Sequence, residues 1–296
     1  MELNKLMFRE YDIRGIWEKD INEEISYHIG RAFATKLLSF GKNKMLVGYD
    51  NRTSSETIEK NLIKGLTDGG VNVVRLGFVT TPMYYYAWDK LNIKCGIMIT
   101  ASHNPKEYNG FKMSYNGIHN CFGKDVTDLY YVIINGIYSE GNGTITNADI
   151  KEDYVKMIHN HINMGNNKLK VVYDCGNGTT SIIANNIFKS NDNIEYIPLF
   201  AESDGAFPNH HPDPSVEENL KQLKEKVLEV HADCGIAFDG DGDRVGVVDN
   251  LGQMIPIDKY MIIIWRDIYN KVAKKEGFFD VKCSKALEDE LIKLGI

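Results

Sequence analysis

The apolar run from Cys95 to Ile99 gives way at once to Thr100-Ala-Ser-His-Asn-Pro105, so a strand of buried type delivers Ser102 and His103 to the head of a loop. A serine beside a histidine first suggests nucleophilic acyl chemistry. The stretch lacks the G-x-S-x-G elbow of an esterase, and neighbouring residues seldom face each other well enough for His103 to serve Ser102 as a base. The second concentration of chemistry is Phe238-Asp-Gly-Asp-Gly-Asp-Arg244, where Asp239, Asp241 and Asp243 alternate with glycines at the end of another apolar run. Carboxylates so close repel one another, and the glycines let the backbone fold tightly enough for them to converge. A solvated acidic turn would suffice for a lone D-G-D. Between two apolar strands, a hard divalent cation with oxygen ligands resolves the repulsion better. An EF-hand would need Gly at its sixth position and Glu at its twelfth, where Arg244 and Asn250 stand. Monodentate carboxylates leave positions open on the ion, which suits Mg2+ with water or a phosphoryl oxygen as the remaining ligands. Opposite such a site, Ser102 reads as a phosphate carrier, because a phosphoserine offers several acceptor oxygens and nearly two negative charges.

Alternating strands and helices must position these residues. Ile21, Ile25, Ile29, Phe33 and Leu37 recur every four residues after the capping-box pattern Asp20-x-x-Glu23. Thr53-x-x-Glu56 opens a second helix stopped by Gly69-Gly70, and Thr81-Pro82 opens a third. Apolar strands lie at 45–50, 71–79 and 95–99, and Asn116-Gly117 predicts a hairpin between FKMSY (111–115) and GIHN (117–120). A helix near 125–138 and a polar stretch, 139–149, close a first unit. A second unit repeats the pattern: helix 150–163, strand 169–175, a Gly176-Asn-Gly178 turn, strand 194–200, a helix from Ser215-x-x-Glu218 to Val230, and strand 233–239. From 251 onward come two amphipathic helices, 258–276 and 284–294, with hardly any strand. The pattern predicts an α/β protein of repeated three-layer domains, with mixed, largely parallel sheets between helices, divided as 1–149, 150–250 and an incomplete third domain at 251–296.

Composition narrows the function classes. With 296 residues, 43% hydrophobic and 25% charged, the chain reads as a soluble globular protein of two or three domains. A net charge of −7 with no long basic run argues against a nucleic-acid partner. No apolar run approaches the length of a membrane span, and MELNKLMF carries no signal-type block. The five scattered cysteines form no C-x-x-C pair and read as reduced thiols in a cytoplasmic protein. His210-His211 has no suitably spaced partner for zinc and reads as a structural loop.

Taken together, T-A-S-H-N-P and D-G-D-G-D-R resemble the signatures of the α-D-phosphohexomutases, in particular the bacterial phosphomannomutase/phosphoglucomutase branch. FREYDIRG (8–15), GYDNRTSS (48–55), YNGFK (108–112), VVYDCGNG (171–178), FPNHHPDPSVEENL (207–220) and DVKCSKAL (280–287) also resemble the family's segments, in the family's order. The resemblance implies that phosphorylated Ser102 gives its phosphoryl group to a hydroxyl of a glucose or mannose phosphate. The 1,6-bisphosphate then reorients, and Ser102 recovers the other phosphate. It implies Mg2+ held by Asp239, Asp241 and Asp243 with the Ser102 phosphate as a further ligand, and glucose or mannose 1,6-bisphosphate as activator. Arg14 and Lys112 match positions of proton transfer and phosphoryl stabilisation, His103 would orient or relay a proton, and Tyr11, Arg244 and Lys282 match substrate contacts.

Outside these motifs, Arg14 would pass for a surface arginine, Lys112 for a solvent-facing strand lysine, and His103 for a loop residue satisfying backbone groups. The family's sugar-reading G-E-x-S-G-H loop and its loop for the non-reacting phosphate do not occur in this sequence. The stretch is therefore expected to be weakly active or inactive by itself, and to self-associate through exposed apolar surface of the third domain. A non-catalytic Mg2+ and sugar-phosphate-binding remnant and a phosphoglucosamine mutase remain as alternatives. A Mg2+-dependent phosphatase fits less well, since Asp243 stands where its D-x-D-x-[TV] loop needs Thr or Val.

Overall fold

The computed structural model describes residues 2–162, 167–189 and 192–296. Along the first half run β1 (Ile13–Ile16), α1 (Glu23–Ser39), β2 (Lys44–Tyr49), α2 (Ser55–Asp68), β3 (Asn72–Phe78), α3 (Thr81–Lys90), β4 (Gly96–Ile99), β5 (Tyr108–Ser114), α4 (Lys124–Asn135) and β6 (Ile145–Asn147). The strands form one six-stranded sheet in the order β1-β5-β4-β2-β3-β6. Strands β4, β2, β3 and β6 run parallel, while β5 is antiparallel to both β4 and β1. Period-two alternation sorts the side chains. Met45, Val47, Ile97 and Ile99 pack with α1, α2 and α4, whereas Leu46 and Met98 pack with Met83, Tyr84 and Ala87 of α3.

The second half continues with α5 (Lys151–His161), β7 (Leu169–Asp174), α6 (Ala184–Lys189), β8 (Ile194–Leu199), α7 (Lys221–Val230), β9 (Cys234–Phe238), β10 (Val245–Asp249) and β11 (Met254–Ile255). Its five strands lie in the order β11-β10-β9-β7-β8, parallel from β8 to β9 and antiparallel beyond. Val172, Ala237 and Val248 meet Leu223 and Val227 of α7 on one face; Tyr173 stacks on Phe188 of α6 on the other, ring centroids 4.5 Å apart. Two helices follow, α8 (Ile257–Ile268) and α9 (Lys285–Leu294), packed on each other. Leu287 and Leu291 of α9 are buried, whereas α8 has no buried residue and exposes Ile257, Ile263 and Ile264. Two mixed sheets between helices match the expected fold class.

Several local expectations are corrected. No hairpin forms at Asn116-Gly117, because both edges of β5 are already taken by β1 and β4. The Asn116 side chain instead accepts the N–H groups of Ile118 and His119 in a tight turn. Helix α1 is capped by Asn22, not by Asp20, whose carboxylate accepts the Ile16 N–H. The helix expected over 258–276 stops at Ile268. The expected end at 163 of the helix preceding β7 lies outside the described residues.

Helices α1 and α2 touch at two glycines. A Cβ on Gly65 would stand 2.1 Å from the Tyr27 carbonyl oxygen, and one on Gly30 would stand 2.3 Å from that of Leu62. Alanine usually stabilises a helix interior by about 1 kcal/mol over glycine. Here the collision with backbone reverses the sign. Gly65→Ala is expected to destabilise the protein by roughly 1–3 kcal/mol, the usual cost of overpacking, read from its urea midpoint. A midpoint at or above that of the parent would contradict this packing.

Candidate active site

Beyond the end of β4 the chain turns sharply, and Ser102 takes the left-handed conformation, φ 54°. That conformation costs a residue with a side chain about 1–2 kcal/mol, so the surroundings must hold it. The Ser102 N–H donates to Thr100 Oγ1 at 2.8 Å. From α2's approach, the guanidinium of Arg52 donates to the carbonyls of Ser102 (2.9 Å), Asn104 (2.6 Å), Pro105 (2.7 Å) and Tyr108 (2.9 Å). Asp50 supplies the counter-charge, 3.3 Å from Arg52 Nε, with both groups buried. On the other side Arg14, placed by β1, donates to the Ala101 carbonyl (3.1 Å) and to Asn104 Oδ1 (2.7 Å) while pairing with Asp12 (2.7 Å). Two arginines thus grip the serine loop through its own carbonyls.

The acidic loop joins β9 to β10 and approaches from the second sheet. Contact is so close that a Cβ on Gly240 would lie 2.6 Å from the Ser102 carbonyl oxygen. Ser102 Oγ donates to Asp239 Oδ2 at 3.1 Å, and the Arg244 N–H donates to Asp239 Oδ1 at 2.9 Å. Asp239 and Asp241 are wholly buried. Burial, then the charges of Asp241 and Asp243, push the Asp239 carboxyl well above its ordinary range. Burial works the same way on Asp241, but the Lys112 ammonium and the hydrogen bonds from Lys112 and Thr81 outweigh it and hold this carboxyl near 2. Lys112, on β5, reaches Asp241 Oδ2 at 2.7 Å and Asp243 Oδ2 at 2.6 Å. Burial alone would lower its pKa; the two carboxylates raise it instead, and it stays an ammonium.

Asp239, Asp241 and Asp243 each bring one carboxylate oxygen within 4.8 Å of the others, which makes them the one group of potential metal ligands of this kind among the described residues. Asp241 adds a further sign. Its Oδ1 is buried without a hydrogen-bond partner, although Oδ2 is well supplied. An orphaned carboxylate oxygen beside two more carboxylates fits a divalent cation.

His103 Nδ1 lies 3.3 Å from Ser102 Oγ, closer than adjacency in sequence led us to expect, because the left-handed turn throws both side chains to one side. Burial, helped by Arg244, lowers its pKa, so the ring is neutral at neutral pH. Tyr11, Lys112 and Asp243 line one cavity of about 450 Å3, together with Tyr85, Asn120 and Phe122. A larger cavity, about 610 Å3, lies against α2 and β3 and includes no expected site residue. Arg244 is exposed beside the acidic loop. Lys282 is not brought in: it is exposed, 4.0 Å from Asp280.

Sequence reasoning missed the supports. Arg52 lies in GYDNRTSS, but nothing local says that its guanidinium reaches residues 102–108. In the sequence Thr81 signals only a helix start, yet its hydroxyl donates to Asp241 Oδ2 at 2.6 Å. His210 is a structural loop residue, as expected, and its partner is Asp174: Nε2 lies 3.0 Å from Oδ2, and the carboxylate is fully buried.

Comparison with known proteins finds clear relatives of this chain. The profile described as Phosphoglucomutase/phosphomannomutase, alpha/beta/alpha domain I matches residues 5–128, and that of domain II matches 152–252. The chain is 42% identical over 281 residues to a phosphomannomutase/phosphoglucomutase of Pseudomonas putida, covering 95% of this chain and 60% of the relative. It is 38% identical over 283 residues to a phosphoglucomutase of Neisseria meningitidis serogroup B, covering 95% and 61%. The crystal structure of a phosphoglucomutase/phosphomannomutase family protein from Burkholderia thailandensis superposes with a TM-score of 0.93 at 34% identity, covering 99% of this chain and 65% of that one. The chain thus spans about three-fifths of the length of the curated relatives it matches.

The supports can be tested by stability. Arg52→Ala leaves Asp50 as a buried, unpaired charge and is expected to cost about 3–5 kcal/mol in chemical denaturation. A loss under about 1 kcal/mol would show that Arg52 does not hold the loop. For His210, burial opposes the imidazolium, but the hydrogen bond and charge of Asp174 outweigh it and raise the pKa. A raised folded pKa means that the pair's contribution is complete below the unfolded value, about 6.5, and is lost as pH rises through the folded value. His210→Gln should therefore lower the urea midpoint clearly near pH 6 and much less near pH 9. Equal losses at both would remove the charged pair from the account.

Proposed function

The chain belongs to the phosphoglucomutase/phosphomannomutase family, and on that premise we propose that it moves phosphoryl groups between hydroxyls of hexose phosphates through a phosphorylated Ser102. One observation carries the reading: Ser102 Oγ stands 3.1 Å from Asp239 Oδ2, at the rim of a three-carboxylate cluster contributed by the other sheet. In this reading Asp239, Asp241 and Asp243 hold Mg2+, with the phosphate on Ser102 as a further ligand. The ion, when bound, supplies charge neutralisation for the carboxylates and for the phosphoryl oxygens.

The chain's own residues account for the rest. As the Ser102 Oγ–P bond breaks and a P–O bond forms to a sugar hydroxyl, that hydroxyl must lose its proton. His103 is neutral and 3.3 Å from Ser102 Oγ, so it can hold or pass a proton there. Arg14 and Lys112 keep fixed positive charge around the serine loop and the acidic loop. Substrate contact is assigned to Tyr11 and Arg244, which are exposed at the site's edge, whereas Lys282 lies outside both matched domains and away from the cluster. Return of the second phosphate to Ser102 passes through glucose or mannose 1,6-bisphosphate, which also charges the serine at the outset. Five free thiols suit the cytoplasm, where such phosphosugars would be met.

The test uses the chain with glucose 1,6-bisphosphate and Mg2+. Intact-mass and peptide analysis should find one added phosphate, on Ser102, and Ser102→Ala should take up none and support no detectable exchange of phosphate between sugar positions. No phosphate on the parent chain, or an alanine variant that still turns over, would refute the reading.

A further inference from the structure

The acidic loop is not held by its own sheet alone. Asp241 Oδ2 accepts three donors, and all come from the first sheet's half: Thr81 Oγ1 at 2.6 Å, Lys112 Nζ at 2.7 Å and Thr100 Oγ1 at 3.2 Å. Thr81 holds the residue twice, because its backbone N–H also donates to the Asp241 carbonyl at 2.9 Å. Position 81 opens α3, where Thr80 caps the helix by accepting the Met83 N–H and Pro82 occupies the first turn. The start of a rigid helix therefore sets where Asp241 lies. With Oδ2 engaged by three donors, the carboxylate cannot rotate freely, and Oδ1 is the oxygen left unpartnered in a buried place. Thr100 does a second job, since the hydroxyl that donates to Asp241 accepts the Ser102 N–H at 2.8 Å. One side chain thus joins the backbone of the candidate phosphate carrier to a candidate metal ligand.

We infer that Thr81 and Thr100 are positioning residues that set the cation affinity of the acidic loop from across the two halves of the chain, by fixing which oxygen of Asp241 faces an ion. The inference rests on the metal reading given above. It adds that the loop's affinity belongs to both halves and not to the D-G-D-G-D sequence. Neither threonine need touch the ion or the sugar. Donors that orient metal-binding side chains commonly affect metal affinity about 10–100-fold when removed.

The experiment is a Mn2+ titration of the full chain, followed by calorimetry and by the loss of the free-ion electron paramagnetic resonance signal. Thr81→Val keeps shape and the backbone hydrogen bond but removes the hydroxyl. It is expected to weaken Mn2+ binding about 10–100-fold, with Thr81→Ser restoring most of it and Thr100→Val weakening it comparably. Urea midpoints measured without metal guard against a folding defect: a Thr81→Val chain that unfolds with the parent's midpoint yet binds Mn2+ weakly supports the inference. If the parent binds Mn2+ and both valine variants bind it equally well, the inference fails while the metal reading stands. If the parent binds none, both fail.

Discussion

Negative charge gathered in a dry place is the constraint around which this protein is arranged. Asp239 and Asp241 are buried, and Asp243 adds a third carboxylate a few ångströms away. Such a cluster is tolerable only when cations and donors converge on it. The second sheet offers few of them beyond the Arg244 N–H. Lys112, Thr81, Thr100 and Ser102 all arrive from the first sheet's half. The two halves are therefore joined most intimately at the place where charge is densest, and a glycine at 240 is what permits the approach.

The serine loop solves a complementary problem. A left-handed serine is a strained one, and a loop held only by its own turns would relax. Buried Arg52 meets four carbonyls with one rigid fork of donors, and Arg14 meets a fifth. Guanidinium geometry suits this task, since a lysine ammonium could not span so many acceptors at once. Position and charge are supplied together, as the proposed phosphoryl transfer would require of its surroundings.

Much of this was legible in the sequence, and the reason differs by feature. The alternation of strands and amphipathic helices is a local signal, so the α/β class and most elements could be read directly. Asp239, Asp241 and Asp243 stand out because clustered carboxylates are costly without a purpose, and Ser102 because a buried strand delivers it to the head of a loop. Their supports do not stand out. Arg52, Thr81 and Thr100 act over separations of 50, 160 and 141 residues, and hydrogen bonds of that span leave no periodic trace. The failed hairpin has the same origin: Asn116-Gly117 is a sound turn, but only the sheet as a whole reveals that β5 has no free edge. The capping slip at Asp20 is a local contest, which Asn22 won once Asp20 was drawn to Ile16.

That same strand order carries a consequence for how the molecule is assembled. β1 pairs in the sheet only with β5, Ile13 lying opposite Phe111. On a ribosome, β1 must therefore wait for β5 before it can join the sheet, while β2, β3 and β4 have neighbours available sooner. Arg14 travels on that waiting strand. The chain has consequently to build its central layer first and fasten one of the serine loop's two arginines afterwards, so the loop's full grip is a late event in the birth of the protein.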